Sequence, residues 1–378
     1  MATSMENVFK AIRTFEKGEI LIVTDDDDRE NEGDLIVAAV HCTPEKMAMI
    51  IRYTSGIVCT PMPNEEARRL QLTPMVAEND APYSTAFTVS VDYRYEMTTG
   101  ISAEERCATV RGLANPSSCA EDFFRPGHIF PLVARSGGVL MRSGHTEAAV
   151  DLCKLAGLPP IGVISELIND DGTVMRGPQI KDFAIEKSLR IITVAEIISY
   201  RQRQERLVQR IEEFNTQTSI GLARAYTYTT DWDPMHQLAV VYGKIGNGRD
   251  VLVRLHVESV LDDAFGGSSS LNKNLTLIEK EGRGIIVYLR EGSVGVSSGS
   301  TRNNLGLSSL NVTKLDDNQK QYSASRFRKE EWLEIGLGAQ ILRDLGVSSI
   351  KLIASKERHY VGLSGFGIEI SDTVILNS

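Results

Sequence analysis

The run Asp25-Asp26-Asp27-Asp28-Arg29-Glu30-Asn31-Glu32-Gly33-Asp34 lies between two apolar stretches. It holds more carboxylates than a turn needs, and like charges repel at short range. A bound divalent cation would relieve that repulsion. Oxygen ligands of this kind suit Mg2+, which keeps several waters and takes one or two carboxylates. Arg29 adds a planar fork for a phosphate or a carboxylate. The plainer alternative is a solvated acidic turn.

Three further clusters carry chemistry. In Arg125-Pro126-Gly127-His128-Ile129-Phe130-Pro131, the Pro-Gly pair suggests a rigid loop presenting an imidazole at a strand end. A lone histidine is more often structural than catalytic. Arg135-Ser136-Gly137-Gly138 precedes Arg142-Ser143-Gly144-His145-Thr146-Glu147 and then the apolar pattern Ala148, Val150, Leu152, Leu155. A Ser-Gly turn that opens a helix offers free backbone N–H groups to an anion such as a phosphate. His145 inside it is a candidate metal ligand, while Ser143 or Thr146 could simply cap the helix. Finally, Glu166 sits in the apolar run Ile161 to Ile168. Alternation puts it on the face of Ile164 and Ile168 without deciding which face is wet. A buried carboxylate there would have a raised pKa, suited to proton transfer.

The elements that must hold these groups alternate along the first half. Val8 to Gly18 has helical spacing, Glu19 to Thr24 and Leu35 to Val40 read as strands, and Pro44 to Tyr53 as a helix capped by Thr43. Gly56 to Thr60 reads as a strand ended by Pro61 and Pro63, and Ile161 to Ile168 with Thr173 to Met175 as a hairpin. Tyr200 to Phe214 reads as a charged linking helix or helix–loop, after which a second region of strands and helices begins near Ser219. Gly292 to Asn318 reads as a loose surface loop, Trp332 to Leu345 as a helix stopped by Gly346, and Ser349 to Ala354 as a strand. No internal repeat is visible.

A chain of 378 residues suits two domains. The net charge of −9 argues against a nucleic-acid coat or a basic membrane-surface protein. No apolar run approaches the roughly 18 residues needed to cross a bilayer. The five cysteines, Cys42, Cys59, Cys107, Cys119 and Cys153, lack paired metal or redox spacing and all precede residue 154. With no secretory signal pattern near the start, they read as reduced thiols of a cytoplasmic protein.

The acidic run, Thr98-Thr99-Gly100-Ile101-Ser102-Ala103, Arg125 to Leu132 and Arg142 to Glu147 together resemble the 3,4-dihydroxy-2-butanone 4-phosphate synthase family over nearly all of Met1 to Ser199. The resemblance implies conversion of D-ribulose 5-phosphate to L-3,4-dihydroxybutan-2-one 4-phosphate and formate, for riboflavin. It implies Mg2+ or Mn2+ and a homodimer with sites near the subunit interface. Carried over, Glu30 and His145 hold the metal. Arg29, Glu30, Asp34, Arg142, Ser143, Gly144, His145, Thr146 and Glu166 contact substrate, with the phosphate on the Arg142 to Thr146 loop. His128 and Glu166 are essential, with Glu30 and Asp34 also catalytic. The reaction forms an enediol, expels a hydroxyl, migrates carbon and releases formate, so it needs both charge stabilisation and proton carriers.

From about Ser219 the chain resembles GTP cyclohydrolase II, through Val253 to Glu258, Phe265-Gly266, Glu281-Gly282-Arg283-Gly284 and Gly338 to Gly346. The three zinc-binding cysteines of that family align with Ser259, Ser270 and Asn272, its catalytic arginine with Leu333 and the nearby aspartate with Glu331. Ala354-Ser355-Lys356-Glu357 replaces a further motif. Hydroxyls are far weaker zinc ligands than thiolates. The expectation is an α/β (α+β) chain: a synthase domain at 1–200 with a mixed sheet and flanking helices, a charged linker at 201–216, and at 217–378 a second α/β domain without zinc or catalysis. Retained Glu281 to Gly284 keeps weak nucleotide binding open. A bifunctional enzyme, a silent scaffold and an RNA-binding module are the alternatives, and neither nucleic acid nor membrane is expected as a partner.

Overall fold

The computed structural model describes residues 2–25, 29–81, 83–95, 97–260, 263, 270–290, 336–354, 363 and 367–375. They form two compact units, Met1–Arg201 and Gln202–Ser378. Asp26 to Asp28, Phe265-Gly266, the 292–318 loop, Glu331, Leu333 and 355–357 lie outside the described residues.

The first unit is a seven-stranded mixed sheet between helices. Its strands are β1 (Leu21–Thr24), β2 (Gly33–Ala38), β3 (Cys59–Met62), β4 (Val91–Tyr93), β5 (Phe123–Val133), β6 (Gly162–Glu166) and β7 (Arg190–Thr193), in the order β4-β5-β3-β6-β2-β1-β7. Period-two alternation sends side chains to two different cores. Leu35, Val37, Val163 and Leu167 enter one, with Met47 and Ile50 of α2 (Pro44–Tyr53), Ala67 of α3 (Asn64–Arg69) and Val110 and Leu113 of α4 (Ala103–Ala114). Ile36, Ala38 and Ile164 enter the other, with Val8 and Phe15 of α1 (Ala2–Glu16) and Ala148 and Leu152 of α5 (His145–Leu155). Burying Phe15 completely contributes roughly 2–3 kcal/mol. Helix α5 crosses β1, β2, β3 and β6, and His145 through Cys153 are all buried.

Local signals explain the element ends. The Thr43 hydroxyl accepts the Lys46 N–H, with Pro44 in the first turn of α2. Ser102 and Glu105 form a reciprocal capping box on α4. Three expectations shift. Helix α1 begins at Ala2, before Val8. Strand β3 runs through Pro61, which sits opposite Leu132 in the parallel register with β5. The expected hairpin is present but short: Ile168 bridges Val174, flanked by Asn169 N–H to the Thr173 carbonyl at 2.7 Å and Met175 N–H to the Leu167 carbonyl at 2.9 Å.

The second unit is a seven-stranded mixed sheet too. Its strands are β8 (Gln209–Thr218), β9 (Gly221–Thr230), β10 (Asp233–Tyr242), β11 (Val251–Val257), β12 (Gly284–Leu289), β13 (Ser349–Ala354) and β14 (Glu369–Ile375), ordered β14-β13-β11-β12-β10-β9-β8. Helices Ser270–Glu281 and Gly338–Asp344 accompany it. The segment expected as a charged linker, 201–216, departs from that reading. It holds the end of the helix Val194–Gln204 and then most of β8. Strand β8 is the edge of its sheet and is mostly exposed. Its Arg, Gln and Glu residues are those of a solvated edge strand, which charge protects from further pairing.

Candidate active site and metal centre

The acidic turn is organised by Asp25. Its Oδ2 accepts the Arg29 guanidinium at 2.8 Å and the Glu30 N–H at 3.1 Å, and its Oδ1 accepts the Glu32 N–H at 3.0 Å. Arg29 also donates to Glu30 at 2.7 Å. This folds the turn so that Glu30 meets the start of α5. His145 Nδ1 lies 3.7 Å from Glu30 Oε2 and 3.7 Å from Asp34 Oδ1. Burial alone would lower the His145 pKa, but Asp34, Glu30 and Asp25 outweigh it and raise it to about 9. Burial pushes Asp34 up to about 8, against the pull of His145. Glu30 is held down at about 2, because His145 and Arg29 outweigh its own desolvation.

The donor set fits a hard divalent cation. One ligand atom from each of Asp25, Glu30 and His145 lies within 4.8 Å of the others. Buried Asp34 Oδ1 and His145 Nε2 have no hydrogen-bond partner among the described residues. Unpaired buried polar atoms are costly unless something else satisfies them. Carboxylate-rich ligation with one imidazole suits a metal that prefers oxygen.

Glu166 joins this group from β6. Strands β2 and β6 run antiparallel with Asp34 opposite Glu166. The alternation question is thereby answered: Glu166 is on the face of Ile164, towards α5, and Ser55 Oγ donates to its Oε2 at 2.8 Å.

The Arg142 to Thr146 segment enters α5 at the same place. Gly144 is the N-cap and no side chain caps the helix, so Ser143 and Thr146 do not play that part. Arg142 donates to Glu147 at 2.7 Å, to the Tyr83 carbonyl at 3.2 Å and to Thr85 at 3.2 Å. A Cβ at Gly144 would stand 2.5 Å from Arg142 Nη1 and 3.1 Å from Arg29 Nη2. The two guanidinium groups therefore flank the helix start, where backbone N–H groups favour an anion.

His128 departs from the expected strand-end loop. It stands inside the eleven-residue strand β5, on a bulge: Val91 pairs with Ile129 and the next residue, Asp92, with Phe124, so 125–128 are looped out between adjacent rungs. Asp92 accepts the His128 N–H at 2.8 Å and contacts Nδ1 at 2.7 Å. The Thr98 to Ala103 motif covers this pair. Glu105 accepts the Thr98 and Thr99 N–H groups, and Gly100, at φ +82°, approaches so closely that a Cβ would lie 2.3 Å from Asp92 Oδ2. Arg125 donates to the carbonyls of Leu70, Ala120 and Phe123, a structural task. Among the described residues no hydrogen bond or ion pair joins His128 or Asp92 to the His145 group.

In the second unit, retained motif residues brace the fold. Arg283 donates to the Ile245 and Arg249 carbonyls. Gln340 accepts the Leu207 N–H and donates to the Gln202 and Glu205 carbonyls. Asp263 receives the Ser259 N–H and the Tyr288 hydroxyl and contacts His256 at 2.9 Å.

Residues 9–200 match the 3,4-dihydroxy-2-butanone 4-phosphate synthase family, and residues 209–375 match GTP cyclohydrolase II. The chain is similar to the bifunctional riboflavin biosynthesis protein RIBA 1, chloroplastic, of Arabidopsis thaliana, at 43% identity over 98% of this chain and 68% of that protein. It is also similar to the monofunctional RIBA 2, chloroplastic, of the same plant, at 44% over 97% of this chain and 76% of that one. A crystal structure of RibBX, a two-domain synthase from A. baumannii, superposes with a TM-score of 0.78 at 32% identity, covering 97% of this chain and 99% of that one. A synthase in complex with two magnesium ions gives 0.50 at 42% identity, over 52% of this chain and 96% of that one.

Fold and matches together define a two-unit α/β enzyme of riboflavin biosynthesis. The chain belongs to the 3,4-dihydroxy-2-butanone 4-phosphate synthase family, a lyase, with a GTP cyclohydrolase II domain fused behind it. No helix among the described residues is long and apolar enough to cross a membrane.

Proposed function

We propose that the first unit converts D-ribulose 5-phosphate to L-3,4-dihydroxybutan-2-one 4-phosphate and formate, at the site built from the acidic turn and the start of α5. The meeting of Glu30 with His145 carries this reading. In it, Glu30 and His145 hold Mg2+ or Mn2+, with Asp25 shaping the turn. Bound there, the cation supplies Lewis-acid stabilisation of negative charge on substrate oxygens. Arg29, Arg142, Ser143, Gly144 and Thr146 hold the phosphate and orient the sugar. Asp34, whose protonated form burial favours, lies 3.7 Å from His145 Nδ1 and is one carboxyl able to give or take a proton. Glu166 opposite it is the second carboxylate able to move a proton. His128, oriented by Asp92, is the third carrier. A homodimer with sites near the subunit interface belongs to the same reading, and light scattering would test the oligomeric state. Formate release from ribulose 5-phosphate, dependent on Mg2+ and stopped by chelator, tests the whole assignment. Release at full rate in excess chelator would refute it.

We assign 1–200 to the synthase and read the second domain, whose sheet begins with β8 at Gln209, as non-catalytic and free of zinc. The support is chemical: Ser259, Ser270 and Asn272 stand where thiolates are needed, and Arg283 is engaged by backbone carbonyls. Stoichiometric zinc together with formate release from GTP would overturn this. Five free cysteines accord with a cytoplasmic protein.

A further inference from the structure

The loop between β5 and α5 is fastened to α5 at two points one helical turn apart. Glu147 takes the Arg135 N–H at 3.0 Å and the Arg142 guanidinium at 2.7 Å. Asp151 takes the Val139 N–H at 2.8 Å. The turn lies hard against this second carboxylate. Gly137 and Gly138 have φ of +87° and +65°, and a Cβ at Gly138 would lie 2.2 Å from Asp151 Oδ1. No residue with a side chain fits there. From this turn the Gly138 carbonyl accepts the Arg142 N–H at 3.1 Å. The clamp on Asp151 therefore sets where Arg142 begins.

Asp151 is itself buried, and a buried carboxylate needs a cation or a proton. The cation comes from far along the chain. Arg201, the last residue of the first unit, donates at 2.8 Å to Asp151 and at 2.8 Å to the Gly137 carbonyl. One guanidinium thus neutralises the clamp and holds the turn it clamps.

We propose that Arg201 is a positioning residue for the synthase reaction, acting through Asp151 and the Gly137 to Val139 turn on the phosphate-holding loop at Arg142. The inference rests on the reading of that loop given above. Removing the guanidinium leaves the buried carboxylate without its cation and frees the turn, so Arg142 and Gly144 lose their register with the bound phosphate. The loss falls on substrate affinity more than on turnover.

The test is steady-state formate release by the full chain with ribulose 5-phosphate and Mg2+, alongside inhibition by inorganic phosphate. Arg201→Gln is expected to raise KM and the phosphate inhibition constant on the order of tenfold, with kcat changed far less. Arg201→Lys should recover part of that loss. Asp151→Asn with Arg201→Gln, which removes both charges, should bind substrate better than Arg201→Gln alone. Arg142→Ala separates the two readings. If it raises KM while Arg201→Gln leaves KM and phosphate inhibition unchanged, the positioning role is refuted and the loop assignment stands. If Arg142→Ala leaves both constants unchanged, the loop assignment falls and this inference with it. A fall in kcat at constant KM that tracks loss of folded protein across the Arg201 variants would mark the ion pair as structural only and refute the proposal.

Discussion

Asp34 and Glu166 sit opposite one another on adjacent antiparallel strands, so two carboxylates share one face at one rung of the sheet. Directly opposed like charges destabilise a sheet. The arrangement is tolerated because burial favours the protonated form of Asp34 and the His145 imidazole stands 3.7 Å from it. The sheet carries a local charge conflict that a cation or protons must resolve, at the point where α5 begins.

Loss of either proposed metal ligand should remove turnover and spare the fold. Glu30→Gln and His145→Ala are each expected to lower formate release by about 10²-fold or more, with circular dichroism unchanged. Wild-type rates in either variant would remove both from the metal site.

His128 depends on Asp92, which fixes the imidazole from its backbone N–H and its Nδ1. Asp92→Asn keeps the shape but weakens control of the tautomer. We expect kcat to fall at least about tenfold, with KM little changed. A kcat equal to wild type would make Asp92 merely part of the strand.

Two glycines should fail in different ways. A Cβ at Gly127 would lie 2.0 Å from the Val91 backbone carbon, which cannot yield. Gly127→Ala should cost about 3 kcal/mol of stability, read by urea unfolding. A Cβ at Gly144 meets the ends of Arg142 and Arg29, which can move. Gly144→Ala should leave a folded protein whose KM rises. The reverse pattern would contradict both assignments.

Asp151 gives the pH dependence. Burial raises its pKa from 3.8 to about 6, against the opposing effects of Arg201, the Val139 N–H and Lys154. An acid raised on folding binds its proton more tightly in the native state. Its stabilisation is complete below about pH 4 and is lost as pH rises through about 6. Roughly two pH units correspond to about 3 kcal/mol. The stability of the natural chain relative to Asp151→Asn should therefore decline between pH 4 and pH 7 in paired denaturation curves. A difference that stays flat or grows would show the carboxyl is not raised.

Contiguous motifs brought Glu30 and His145 forward as candidates from residue type alone. Glu30 and His145 each lie in a run whose residue types name their chemistry, and Thr43-Pro44 announced a helix start that the structure keeps. Asp92 was invisible because it is 36 residues from His128 and a bulge brings them together. From sequence, Arg201 is indistinguishable from linker charge, since nothing nearby marks its ion pair 50 residues away. Gln209 to Thr218 misled for a related reason. An edge strand open to water carries the same polar composition as an exposed helix, and only its pairing with β9 distinguishes them.

Nine consecutive residues of α5, His145 to Cys153, have no wet side. A helix of that kind cannot loosen alone, because lifting it opens both the sheet face and the core beneath α1. Its amide protons should exchange with solvent only when the whole unit opens. Anything gripped by its first residue would then protect every strand it crosses, and magnesium would slow exchange well away from its ligands.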